Sequence, residues 1–194
     1  MKQSLLNNLE PLRGNDSFPS INLKHEIIDL FFPQNTSELT QNLSNVTSAF
    51  YGLLLKNIGE EIGNENIDLQ SKKLFYQLGK LKTLQALEMN PKLERNARSF
   101  AIVLISAIYN ASPEYIFTIE KYTKKNTTII LTGVDRYLRI LTELEIAQYV
   151  TFPTLLPFLQ AINDTLEINC EIEYNFNTSE KENEAQCIYN FKMT

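Results

Sequence analysis

The chain has 194 residues, 43% hydrophobic and 21% charged, with a formal net charge of -5 and an isoelectric point near 5.0. A chain of this length buries one core without help from metal or disulfide, and its composition excludes a disordered protein. The acidic balance excludes a nucleic-acid partner, because neutralising phosphates needs clustered Lys and Arg.

Two cysteines, Cys170 and Cys187, are too few for a disulfide framework. One histidine, His25, and no CxxC pair leave out the common zinc arrangements, so no metal or cofactor is expected. The opening MKQSLLNNLEPLRGND lacks the continuous apolar run of a secretory signal. The most apolar stretch, residues 100–109 (FAIVLISAIY), is about half the length of a membrane span. A cytoplasmic chain without membrane contact is expected. N-x-S/T triplets begin at Asn15, Asn35, Asn42, Asn45, Asn110, Asn126, Asn163 and Asn177, and are read as chance matches in an Asn-, Ser- and Thr-rich chain.

Residues 1–20, with Pro11, Gly14 and Pro19, carry no sustained period and read as a loosely ordered lead-in to one domain over 21–194. Residues 25–32 (HEIIDLFF) suit a short helix closed by Pro33. Thr36 or Ser37 caps a long helix whose Leu39, Leu43, Val46, Phe50, Leu53 or Leu54, and Ile58 recur at three- and four-residue steps, predicting a core-facing stripe. Gly59 and Gly63 mark its exit. Asp68 opens a further helix with Leu69, Leu74, Leu78, Leu81 and Leu84 as its apolar face. Pro91 separates it from a third over about 93–109, apolar all round and therefore central.

After Pro113 the period changes to two. Residues 115–123 and 127–132 predict a hairpin about Lys124, Lys125 and Asn126. Asp135 caps a helix running to about Tyr149, and Pro153 suits the first turn of another. Cys170, Ile172, Tyr174 and Phe176 alternate with polar residues. So do Cys187, Tyr189 and Phe191, across the polar run 177–184, which predicts a second hairpin with one buried face. The expectation is an α+β fold: an N-terminal helical layer on a roughly four-stranded antiparallel sheet, made of two hairpins with a helix pair between them.

Chemistry-bearing residues are few. His25 reads as an ordinary surface histidine, and no glycine pattern cradles phosphate. Cys170 and Cys187 share an inward phase, consistent with burial or with a thiol pair. The segment 132–139 joins a strand end, Gly133 and a helix start. Its Arg136 and Arg139 lie three apart, so Asp135, Arg136 and Arg139 are either an anion-binding helix start or a cap with two surface arginines. Tyr174 and Tyr189 are candidate pocket walls between helices and sheet.

Residues 50–82 (FYGLLLKNIGEEIGNENIDLQSKKLFYQLGKLK) resemble the helical opening of the L-2-amino-thiazoline-4-carboxylic acid hydrolase-like family. Residues 134–191 are similar to its closing part, with a helix of the type D-R-Y-x-R-I-x-x-E-L and a terminal hairpin carrying a late cysteine. The resemblance implies a helical layer with a small sheet and, in the named enzymes, hydrolysis of a cyclic thiazoline amino acid. Cys187 matches a recurrent family cysteine, whereas Val134 and Phe152 stand where further cysteines belong. The leading expectation is therefore binding without catalysis: a small carboxylate-bearing molecule, with Arg136 and Arg139 at its anionic end and Asp135, Tyr174 and Tyr189 around it, or a protein partner. The alternatives are a thiazoline-type hydrolase using Cys187, and a homo-oligomer joined through Phe31 and Phe32 or a Tyr/Phe stripe of one strand.

Overall fold

A computed structural model describes residues 2–179 and 184–194, leaving out the side chains of residues 2–4 and 110. The centre of the polar run 177–184 and the Asn110 side chain of one N-x-S/T triplet thus lie outside the described residues. Two compact units are present, one up to Leu43 and one from Ser44 onward.

The first unit contains helices α1 (Lys2–Arg13) and α2 (Ile21–Phe31) and the first turns of α3 (Thr36–Ile62). A helix thus forms over residues where the sequence shows no sustained period. The Ser20 side chain caps α2 by accepting from Leu23 N at 3.2 Å. The cap of α3 is Asn35 rather than Thr36 or Ser37. Its Oδ1 accepts from Glu38 N at 2.9 Å, and the Glu38 carboxylate reaches back to Gln34 N at 2.7 Å. This reciprocal arrangement satisfies two donors that the helix start would otherwise leave open.

The second unit carries the sheet. Strands β1 (Tyr115–Tyr122), β2 (Asn126–Val134), β3 (Cys170–Thr178) and β4 (Glu184–Met193) form one antiparallel sheet in the order β1-β2-β4-β3. Each hairpin is as expected, and β2 pairs with β4 to join them, Leu131 opposite Cys187 and Ile129 opposite Tyr189. Ile129 and Leu131 of β2 alternate inward with Thr127, and Cys187, Tyr189 and Phe191 of β4 do the same. This face packs on α5 (Ala97–Ala111) and α7 (Leu156–Leu166), with Phe100 stacked on Phe191 at 4.5 Å between ring centres. Near the end of β2, Gly133 adopts φ 131° against the Glu114 carbonyl, an approach closed to any side chain.

Helix α4 (Ile67–Met89) packs along α7, and α6 (Arg136–Glu143) lies between the two hairpins in sequence. Two helix ends differ from the spacing-based expectation. α5 starts at Ala97 rather than at about residue 93, because Asn96 caps it, accepting from Arg98 N at 3.0 Å. α6 stops at Glu143 because Glu145 turns left-handed (φ 60°), with Ile146 N donating to Leu141 O. No glycine announces that stop.

The buried faces of α3 and α4 are the main correction. On α3 the inward residues are Ser44, Ser48, Tyr51, Gly52 and Leu55, while Leu43, Val46, Phe50, Leu53 and Leu54 face outward. On α4 they are Ile67, Ser71, Phe75, Gly79 and Thr83, whereas Leu69, Leu81 and Leu84 are exposed. Small side chains let helix axes approach closely, which can outweigh a larger transfer gain elsewhere on the helix. At Gly79 an added Cβ would lie 2.9 Å from Phe158 Cα, 3.0 Å from Ala161 Cβ and nearer still to the Phe158 carbonyl. Gly79→Ala is therefore expected to destabilise by about 1–3 kcal/mol despite the better helix propensity of alanine. Urea unfolding would measure it; an unchanged or raised midpoint would contradict this packing.

Candidate functional site

The start of α6 concentrates the residues that the sequence marked. Asp135 is buried, and its Oδ1 accepts from Tyr137 N at 2.9 Å and Leu138 N at 3.0 Å, as an N-cap does. Burial pushes its carboxyl above the usual range, opposed by the Leu138 and Tyr137 N–H groups and by the Tyr115 hydroxyl.

Arg136 is only 4% exposed and has no open face for a ligand. Its Nη1 donates to Ser44 Oγ at 2.8 Å, to Thr47 Oγ1 at 3.2 Å and to the Ala111 carbonyl. Nη2 donates to the Tyr137 hydroxyl at 2.5 Å, and the guanidinium lies 4.6 Å from that ring's centre. Ser44 passes the contact on, donating to Glu114 Oε1 at 2.6 Å. Arg139 reaches Asn45 Oδ1 at 2.8 Å, with Glu143 4.0 Å away. Both arginines thus join α6 to α3, and the expected anionic end of a pocket is replaced by a structural junction. Three-residue spacing put them near one face, but it carried no information about α3 closing over that face.

Cys187 and Tyr189 point inward from β4, beside Tyr115 and Asp135. The space they enclose with Leu131, Phe176 and Pro153 is about 10 Å³, at the lower limit for one water. Burial pushes the Cys187 thiol up to about 11 and the Tyr189 hydroxyl well above its ordinary value. A thiol in that state stays protonated at neutral pH and is a weak nucleophile. Cys170 is also buried and raised to about 11, but it pairs with Met193, six residues along β4 from Cys187. That is about 20 Å along a strand, so the two thiols do not form a pair. Tyr174, opposite Tyr189 on the edge strand β3, is 43% exposed and outside the enclosed space.

A larger space lies at residues with little pattern in the sequence. A groove of about 580 Å³ runs between α4 and the segment leading into α7, lined by Ser71, Lys72, Lys73, Tyr76 and Gln77 on one side. Thr151, Pro153, Thr154, Leu156, Pro157 and Gln160 line the other. Its volume falls in the range of small-molecule sites. Lys72 is held by Asp68 at 2.5 Å, and the other Asp68 oxygen accepts from Thr151 N at 2.8 Å. Burial raises the Asp68 carboxyl, but Lys72 and Thr151 together bring it below its ordinary value. Tyr76 donates to Asp164 at 2.8 Å. Lys73 has no acidic partner among the described residues. Thr154 is 3% exposed, lines the groove, and its hydroxyl has no hydrogen-bond partner among the described residues. The start of α7, with no side-chain cap, adds a positive helix end. Only the adjacent Lys72 and Lys73, four residues before Tyr76 and Gln77, could have pointed here.

Among the described residues no three His, Cys, Asp or Glu side chains gather as a metal site requires, and no helix is long and apolar enough to cross a membrane. No family model matches the chain, and no curated protein matches it. Solved structures similar to the chain include two at low identity. One is a trafficking protein particle complex subunit 3 from Naegleria fowleri, covalently bound to palmitic acid. It is 9% identical, with 78% of this chain and 96% of that chain covered and a TM-score of 0.45. The other, from work on heme distortion in the H-NOX family, is 11% identical, with 100% and 95% covered and a TM-score of 0.39.

Two outcomes follow from the α6 and β4 geometry. Arg136→Ala should lower unfolding free energy by about 3 kcal/mol or more, because buried acceptors lose a charged donor, while Arg139→Ala should cost under about 0.5 kcal/mol. Equal losses in chemical denaturation would reject the distinction. Mild alkylation of the native chain should leave Cys170 and Cys187 unmodified until denaturant is added; rapid native labelling of Cys187 would reopen a nucleophilic role.

Proposed function

We propose that this chain is a small-molecule-binding domain whose site is the α4–α7 groove, and that its ligand is a small carboxylate with an apolar body. The observation that carries the reading is the Thr154 hydroxyl, buried in the groove wall without a partner among the described residues, in a groove whose Lys73 likewise has no acidic partner there. A buried polar atom without a partner costs free energy unless water or a ligand satisfies it. Lys73 and the positive start of α7 favour an anion, and Pro153, Leu156, Pro157 and the Tyr76 ring favour apolar atoms beside it. The carboxylate class expected from the sequence is kept, but the binding residues move from Arg136 and Arg139 to Lys73 and Thr154.

Hydrolysis through Cys187 finds less support. The thiol is protonated, and the space beside it is too small for an amino acid ring.

Calorimetric titration of the purified chain with a panel of small aromatic and aliphatic carboxylates tests the reading. Lys73→Ala should weaken the best binder by about tenfold, equivalent to ~1.4 kcal/mol. Thr154→Val should weaken it several-fold while leaving the unliganded chain as stable or slightly more stable, because a buried unsatisfied hydroxyl is removed. Affinity unchanged in both variants would refute the site.

A further inference from the structure

The outward face of α3 has a chemistry that the ligand site does not use. Val46, Phe50, Leu53 and Leu54 are 52%, 72%, 49% and 48% exposed. They occupy the side of the helix opposite Ser44, Ser48, Gly52 and Leu55, the side packed on the core. At Gly52 a Cβ would come within 2.8 Å of Ile140 and Leu144, so α3 is pressed inward on its small residues and leaves its large ones outside. Four apolar side chains at these exposures present on the order of 400 Å², within the range of the largest patch on a typical monomer.

The stripe also lacks charge. Between Glu38 and Lys56 no residue is charged, a run of seventeen positions on a helix that is otherwise solvent-facing along this side. Exposed helix faces are normally charged, whereas interface centres are depleted of charge and enriched in aromatic residues.

We infer that this face pairs with the same face of a second copy of the chain, the two α3 helices crossing antiparallel about a twofold axis near Phe50. Three features select that occupant. Val46 and Leu54 stand four residues on either side of Phe50, so an antiparallel twofold brings Val46 of one copy onto Leu54 of the other. The same i±4 ridge is presented by both helices, the geometry of the commonest helix–helix packing. With no charge on the stripe, the twofold brings no like charges together and offers a charged partner nothing to pair with. The apolar area supplies about half of the roughly 800 Å² per partner of a standard interface, leaving the remainder to the residues that flank the stripe.

Sedimentation and light scattering of the full chain across a concentration series give the first test, with a dimer expected. Phe50→Glu should shift the chain to monomer while its far-UV circular dichroism and thermal midpoint stay close to wild type, because the side chain is already exposed. Phe50→Cys should form a disulfide-linked dimer on mild oxidation, with Glu120→Cys on β1 as the uncrosslinked comparison. The buried native thiols do not compete. A wild-type chain that is monomeric throughout, with Phe50→Cys uncrosslinked, overturns the proposal. So does a larger complex that Phe50→Glu leaves intact. A monomer whose Phe50→Cys thiol is protected from alkylation means that another segment of the chain covers the stripe, and overturns it equally.

Discussion

The fold of the second unit turns on one buried cation. Moving a guanidinium out of water is costly, and the cost is offset as far as its donors meet acceptors in the interior. Arg136 finds them through both Nη atoms, on two other helices and on its own, while its buried Nε has no partner among the described residues. Ser44 and Thr47 come from α3, the Ala111 carbonyl is the negative end of α5, and the Tyr137 ring and hydroxyl come from its own helix. Glu114, at the start of the hairpin, joins through Ser44. Remove the cation and the end of α5, the start of α6 and the middle of α3 lose their common point.

The aromatic packing follows from that junction. With α6 fixed beside α3, Tyr137 meets Tyr51 at 5.1 Å and Phe75 at 4.9 Å between ring centres, and Tyr51 meets Phe75 at 5.4 Å, all edge to face. The Tyr51 hydroxyl bonds Ser71 at 2.7 Å, so the triad's polar tip is satisfied inside the core. Helix α4 is held in this way at Ser71 and Phe75 and, one turn further along the same face, by Gly79 against α7. The groove is what remains between α4 and the strand-like approach to α7. Gly79 lets α4 and α7 meet closely, and Tyr76, Pro153 and Pro157 line the space left beside that contact.

Sequence period revealed the sheet well and the helix faces poorly, for a physical reason. Each strand of the sheet has one side that meets helices, so period-two alternation at 127–131 and 185–191 reports burial directly. On α3 and α4 the close contacts are made by Ser44, Ser48, Gly52, Ser71 and Gly79, residues that a hydrophobic count treats as surface. The Leu and Phe stripe that such a count selects on α3 is the one left exposed. Asp135 was legible as a cap, since capping is local chemistry. The burial of Arg136 was not legible, because its acceptors come from residues 44, 47 and 111, far away in the chain. The groove was hidden for the same reason: Lys73 and Thr154 are eighty-one positions apart and meet only after α4 and α7 pack.

The groove and the α3 stripe are connected through the Tyr51–Ser71 bond, with Ser71 in the groove wall and Tyr51 on the helix that carries the stripe. Contact alone does not make the two sites depend on each other. Coupling requires an element with two arrangements that each site can bias. The link here runs through Tyr51, 5% exposed and locked edge to face between Phe75 and Tyr137, where another rotamer would meet ring atoms on either side. Such a core transmits strain but offers no second packing to select. The physical reading is two surfaces on one scaffold, the groove along α4 and the apolar stripe along α3, with the buried arginine junction tying α3 to α6.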